Sequence, residues 1–486
     1  MATVRIQKLR SKKTPWQIFQ AVHERYPTAF FLDSPLYQPP AQRYSYIGWS
    51  PFAEVRVSGR RLEVTDQKRK QVYAASQLWP VLRKLMRKYR PAKRPSASFF
   101  TGGAVGFWGY ELAGLFEPLH FRRARAAKPR WGGVPDLHLG FYRNLIVYDH
   151  AAKCYLRVTQ EKSGAAFQTM QELFQDVPKL KAFRFSRFRA GLSRPRFERM
   201  VRRAKRYIAA GDIYQANLSQ RFHFDYGGSA LALYGALRTI NPSPFSAFLK
   251  AGELEIVSSS PERLVSKRGP WCETVPIAGT RPRVRGRERA LARELLNNEK
   301  ERAEHLMLVD LERNDLGRVC RWPTVKVKEL MAIEKYSHVL HLVSRITGRM
   351  RPDRDVFDLI QAMFPGGTIT GCPKIRCMEI IDELEPERRG IYTGSMGYVD
   401  FYGNADLNIV IRTLVLKSGR RPYVGTGKAS KNSRFLDSGR SLRAGRGFYQ
   451  AGAGIVHDSD PRREYEETLH KGEAMKAALN KAAKKS

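Results

Sequence analysis

Residues 451 to 468 read AGAGIVHDSDPRREYEET. The run YQAGAGIV, which opens this stretch, pairs naturally as a hairpin with NIVIRTLVLKSG, residues 408 to 419. Asp460 then supplies a helix N-cap, and Pro461 suits the first helical position, where no N–H is needed. A strand therefore hands over to a helix, and that helix carries Glu464 and Glu467 at i and i+3. Such spacing turns both carboxylates to one side.

A second pair with the same spacing, Glu301 and Glu304, lies in NEKERAEHLMLVDLERND. Either pair alone is ordinarily a solvated helix face. Two such helices meeting would present only oxygen ligands, which suit a hard divalent cation such as Mg²⁺ with retained waters. The glycine-rich stretches FPGGTITGCPK and AGAGIV bring backbone N–H groups close to an anion without Cβ interference, and Thr368 adds a hydroxyl. Taken singly, these glycines mark turns or bulges, and His341 in YSHVLHLVS reads as a core histidine.

Upstream, residues 1–180 are strand-rich, with TAFFLDSP, RYSYIGWSPFAEVRV, RRLEVT, GGAVGFWGYEL and NLIVYDH broken by turns. WQIFQAVHERY and ASQLWPVLRKLMRKY carry helical stripes. A helix is expected after Leu192, capped by Ser193 and stopped by Gly211, followed by the strand DIYQANLSQRFHFDY. One long helical region is expected from Arg287 to Leu316. Residues 420–448, rich in Gly, Ser and basic side chains, read as an insertion in the hairpin loop.

The chain has 486 residues, 42% of them hydrophobic, and can bury a large core. Lys and Arg number 86 against 46 Asp and Glu, a formal charge of +40, which favours anionic partners without choosing among them. No nucleic-acid signature accompanies the basic runs, and FRFSRFR reads as an edge strand. Five cysteines without C-x-x-C spacing argue against a disulfide framework and a structural zinc site. The start lacks a signal-peptide core, and no run of about 18 apolar residues could span a bilayer. A cytoplasmic protein is expected, with no membrane partner.

SSSPERL, PIAGTRPR, ERAEHLMLVDLERNDLGRV, YSHVLHLVSRITG, FPGGTITGCPKIRCMEIIDELEP and AGAGIVHDSDPRREYEET occur in the order that resembles the chorismate-utilising family. Its members include component I of anthranilate synthase and of aminodeoxychorismate synthase. The likeness is strong over about Val201 to Lys471 and weaker before. It implies an α+β fold of two large, mainly antiparallel sheets packed face to face with helices outside. Residues 1–180 would be the N-terminal part of that fold and 190–478 the chorismate-binding catalytic region.

By position in the family's motifs, Glu304 and Glu467 would bind Mg²⁺, with Glu301 and Glu464 beside them. Glu262 would be the general acid for the departing hydroxyl of chorismate. His341, Thr368, Tyr392, Arg412, Gly452, Gly454 and Lys471 match positions that hold the substrate; a planar fork at Arg412 and a point charge at Lys471 both suit a carboxylate.

Two positions bear on the branch. Gln215 stands where salicylate- and isochorismate-forming relatives place a water-activating Lys, and an amide cannot take up a proton at neutral pH. That points to amine transfer, with ammonia as nucleophile. Ala278 stands where the aminodeoxychorismate branch often has a Lys thought to add covalently to the ring; a methyl cannot, so ammonia would attack directly. Ala278 and AGAGIV favour anthranilate synthase, whereas DIYQANLSQRF, NPSPFSAFL, FLDSP and FPGGTITG favour aminodeoxychorismate synthase, the side to which the reading leans. The chain has no G-x-C-x-G nucleophile loop, so a separate glutaminase subunit is the expected ammonia source. A competing class makes the basic surface the function, as a nucleic-acid- or membrane-binding protein on a non-catalytic version of the fold.

Overall fold

The computed structural model describes residues 3–484 apart from 36–42, 68, 118–132, 161–172, 174–176, 337–338 and 420–443. The bulk of the expected insertion lies outside the described residues. The strand Ala444–Ile455 begins inside it, so its last five residues belong to the hairpin.

Two antiparallel sheets, of thirteen and twelve strands among the described residues, form the framework. Each draws on both halves of the chain. Strand Thr28–Asp33 pairs with Phe245–Ala251 in the first sheet, and Gly103–Trp108 pairs with Ser395–Asp400 in the second. Pairings of such long sequence separation make one intertwined unit.

The sheets meet through a shared apolar layer in which Phe30, Leu145 and Ile256 of the first pack with Val105, Phe107 and Met396 of the second. Outside the first sheet, helix Ala230–Ile240 and the C-terminal helix Pro461–Lys484 bury Leu233, Leu237, Met475 and Leu479 against Phe222, Phe224 and Tyr449. Helices Leu78–Tyr89 and Val356–Met363 do the same for the second. Alternation along strand Ala53–Ser58, with Val55 and Val57 inward and Arg56 outward, shows how the pattern sets the face.

Two expectations change. The helical region from Arg287 divides into Glu288–Asn297 and Glu299–Gly317, because Asn298 leaves helical geometry and its side chain accepts the Glu301 N–H as an N-cap. Ser193 does sit at the N-cap of Arg194–Ala209, but it makes no side-chain capping bond. The helix start rests instead on Pro195 in its first turn and on buried Phe197, Met200 and Val201. FRFSRFR forms two short pieces, Arg184–Phe185 and Arg189–Ala190, at the edge of the first sheet.

Candidate active site

Strand Gln215–Gly227 organises one side of the site. It pairs with Ala444–Ile455 so that Asn217 lies opposite Gly454 and Ser219 opposite Gly452. A Cβ at Gly452 would lie 2.3 Å from the Asn217 Oδ1 and 2.9 Å from the Tyr392 hydroxyl; one at Gly454 would lie 2.6 Å from the Gln215 Nε2. Glycine at both positions leaves room there for polar side chains rather than marking turns.

Gln215 reaches across to helix Glu299–Gly317, where its Nε2 donates to Glu304 Oε1 at 2.7 Å. Burial raises the Glu304 carboxyl above its ordinary range; Gln215 opposes this, while the charges of Glu301 and Glu467 add to it. Glu464 is raised as well, by burial first and then by Glu467. The two helices thus bring their glutamates into one field. Each has a protein partner: Glu301 Oε1 meets Arg281 Nη1 at 3.1 Å, and Glu467 Oε1 meets Lys471 Nζ at 2.6 Å. Among the described residues, no three His, Cys, Asp or Glu side chains are drawn together as a ligand set. The donor chemistry still fits a hard divalent cation: oxygen atoms alone, with Glu304 and Glu464 raised by burial and by neighbouring carboxylate charge that a cation would relieve.

Lys471 links the C-terminal helix to the strands. Its Nζ donates to the Gly452 carbonyl at 2.9 Å, and its own carbonyl accepts from Arg412 Nη1 and from the Tyr449 hydroxyl, each at 2.6 Å. Arg412 holds a left-handed backbone, φ 52°, immediately before strand Thr413–Ser418. Its guanidinium is therefore engaged by a helix backbone, a geometry that motif matching did not show. Tyr392 is buried, with its ring 5.7 Å from the Arg389 guanidinium carbon.

The floor is strand-borne. Glu262 follows strand Leu254–Ser260 and is 5% exposed. Burial raises its carboxyl to about 7 against the opposing pulls of nearby Thr368, the Ile277 backbone and Lys471. Its Oε1 and the Thr368 Oγ1 are both buried without a hydrogen-bond partner among the described residues. Two unmet polar atoms on one buried floor are the chemistry of a polar ligand's seat.

Strand Ile277–Pro282 pairs with Val339–Arg349, setting Thr280 opposite His341. Gly279, at φ 70°, forms the irregularity between Ala278 and Thr280. It also makes room for Glu301, whose Oε2 would stand 2.8 Å from a Cβ there. His341 Nδ1 lies 3.0 Å from the Thr280 hydroxyl, and burial lowers its imidazole to about 4, so it is neutral at physiological pH. Ala278 is buried beside it and offers only a methyl.

Neither Thr280 nor Asn217, the latter singled out in DIYQANLSQRF only as bearing on the branch, was given a site role from the sequence. Their signal, a polar side chain directly opposite a chosen residue, exists only once the strands are paired. A cavity of about 360 Å³ lies elsewhere, lined by Asp33, Ser34, Tyr44, Phe245, Ser246 and Asp406 and by none of the candidate site residues.

The family model for chorismate binding enzymes matches residues 33–429 and 440–477. Aminodeoxychorismate synthase component 1 of Bacillus subtilis is 41% identical over 394 residues, covering 78% of this chain and 77% of that protein. Anthranilate synthase component 1 of Acetivibrio thermocellus is 36% identical over 493 residues, covering 97% and 93%. The crystal structure of anthranilate synthase component I from Streptococcus pneumoniae superposes with a TM-score of 0.72 at 32% identity, over 90% of this chain and 93% of that one. The menaquinone-specific isochorismate synthase of Escherichia coli, at 16% identity and a TM-score of 0.68 over 98% and 95%, shares the fold.

Proposed function

This chain belongs to the chorismate binding enzyme family, and from that premise we propose that it aminates chorismate, releasing 4-amino-4-deoxychorismate, with ammonia supplied by a separate glutaminase subunit. The observation that carries amination is Gln215. Its amide donates to Glu304, and it is neither a base nor able to become one at neutral pH. Water would need such a base; ammonia is already nucleophilic.

Glu262 supplies the acid. A carboxyl held near 7 is still protonated in about half of the molecules in neutral solution and can pass that proton to the leaving hydroxyl, which departs as water. The incoming ammonia surrenders a proton in turn, so charge and atoms balance. Neutral His341, held by Thr280, and the unmet Thr368 hydroxyl orient the substrate over that acid. Lys471 and Arg412 put positive charge beside a dianionic ligand.

Glu304 and Glu467, flanked by Glu301 and Glu464, would hold Mg²⁺, whose charge would offset a substrate carboxylate. Ala278 excludes a covalent amine at its position, so ammonia attacks the ring directly.

The product assignment leans on the stretches FLDSP, DIYQANLSQRF and NPSPFSAFL. Anthranilate synthase component I is the second reading, favoured by Ala278 and by the relatives of that name that align over nearly the whole chain. Incubating the purified chain with chorismate, Mg²⁺ and ammonium, then separating products with and without an added lyase, tests both. A product that the lyase converts to p-aminobenzoate is expected; fluorescent anthranilate would reject the first reading.

A further inference from the structure

Two buried charged residues lie outside the chemistry described above. Glu312, 2% exposed, is on helix Glu299–Gly317 two turns beyond Glu304. Its Oε1 accepts the Gly367 N–H at 3.3 Å, and its Oε2 accepts from the Thr274 hydroxyl at 3.3 Å. Asp315 on its own helix, Lys374 on helix Lys374–Leu384 and Glu262 are the titratable groups acting on it. Burial, with Asp315 next, raises its carboxyl well above its ordinary range.

Arg389, 1% exposed, spends its guanidinium within the protein. Nε and Nη2 hold Glu385 at 3.1 and 2.7 Å, Nη1 donates to the Ile369 carbonyl at 2.9 Å and to Thr393 Oγ1 at 3.2 Å, and Nη2 donates to the Asn217 carbonyl at 2.5 Å. The ring of Tyr110 flanks it at 4.9 Å and that of Tyr392 at 5.7 Å.

These bonds converge on the three-residue turn Gly367–Ile369. A turn this short has little stability of its own. Its first residue gives an N–H to Glu312, and its last gives a carbonyl to Arg389. The residue between them is Thr368, whose hydroxyl is unmet. We infer that Glu312 and Arg389 are positioning residues which clamp this turn from its two ends and so aim Thr368 at substrate beside Glu262. The inference rests on the reading of Thr368 and Glu262 as groups that face chorismate.

Calorimetric titration of the full-length chain with chorismate in Mg²⁺ tests it. Glu312→Leu and Arg389→Met are each expected to weaken binding about tenfold, the loss of one buried hydrogen bond's worth of orientation. Glu312→Gln should stay within about twofold, because an amide oxygen still accepts the Gly367 N–H, whereas Arg389→Lys should fail to rescue, because a point charge cannot serve four acceptors. In a Thr368→Ala background, both substitutions should cost nothing further. Additive losses in that double-mutant cycle, or wild-type affinity in Glu312→Leu, overturn the inference. Should Arg389→Met not fold, the Glu312→Leu cycle decides alone. A chain that binds chorismate but releases no aminated product would defeat the functional reading and leave the binding cycle readable.

Discussion

Around Glu262 the functional side chains come from strands and turns, with their polar atoms shut from water, whereas the four glutamates at the rim ride on two helices and lean on neighbours. Glu262 and Thr368 keep polar atoms unmet in a buried floor. Glu304, Glu301 and Glu467 are held by Gln215, Arg281 and Lys471. Glu262 is in place before any ligand arrives, so its effect belongs to the chemical step, while Thr368 beside it holds the substrate. Rim carboxylates must exchange a protein partner for a ligand, and their effect belongs to affinity.

The sharpest way to break this contrast is Glu262→Gln. Turnover should fall by about 10³-fold, in the range of a lost general acid, while calorimetric affinity for chorismate changes little. Equal losses in both would move Glu262 into the binding class. Glu304→Ala and Glu467→Ala should do the reverse, raising the Mg²⁺ concentration for half-maximal chorismate binding about tenfold or more, since divalent affinity follows ligand charge. A chelator should abolish turnover, and added Mg²⁺ should restore it.

The pH dependence separates the regions further. Glu262 must be protonated to act, so kcat/KM should fall roughly tenfold per unit above pH about 7. The same shift has a sign for stability. A carboxyl whose folded value is about 7 against an ordinary 4.5 stabilises fully below 4.5, and that contribution is lost as pH rises through 7. Glu111, also raised by burial to about 7, acts in the same direction, so Tm should decline across this window, and less in Glu262→Gln. The smallest effect is expected at Glu301. Glu301→Gln keeps an acceptor for Arg281 and should change turnover only about twofold.

How much of this was legible depended on range. The pairs Glu301/Glu304 and Glu464/Glu467 could be read because helical period is local, and Asp460 does cap its helix, accepting the Arg463 N–H at 2.9 Å. Thr368 stood out because it follows two glycines. Arg389 and Glu312 did not, since nothing near them in sequence announces Ile369, Asn217 or Gly367 as partners. Asn298 breaks a helix that periodicity alone would carry through, because an amide that caps one helix looks like any polar residue on another. The engaged state of Arg412 likewise follows from a contact 59 positions away.

The central claim is that burial holds the Glu262 carboxyl near 7, so that a large share of molecules still carries its proton in neutral solution. Infrared difference spectra between the wild-type chain and Glu262→Gln, titrated from pH 5 to 9, isolate this carboxyl from Glu111 and Glu312, which burial also raises. A protonated carboxyl band present at pH 6 and lost with a midpoint near 7 is the predicted result. A band already gone by pH 5, or none at all, would contradict the account.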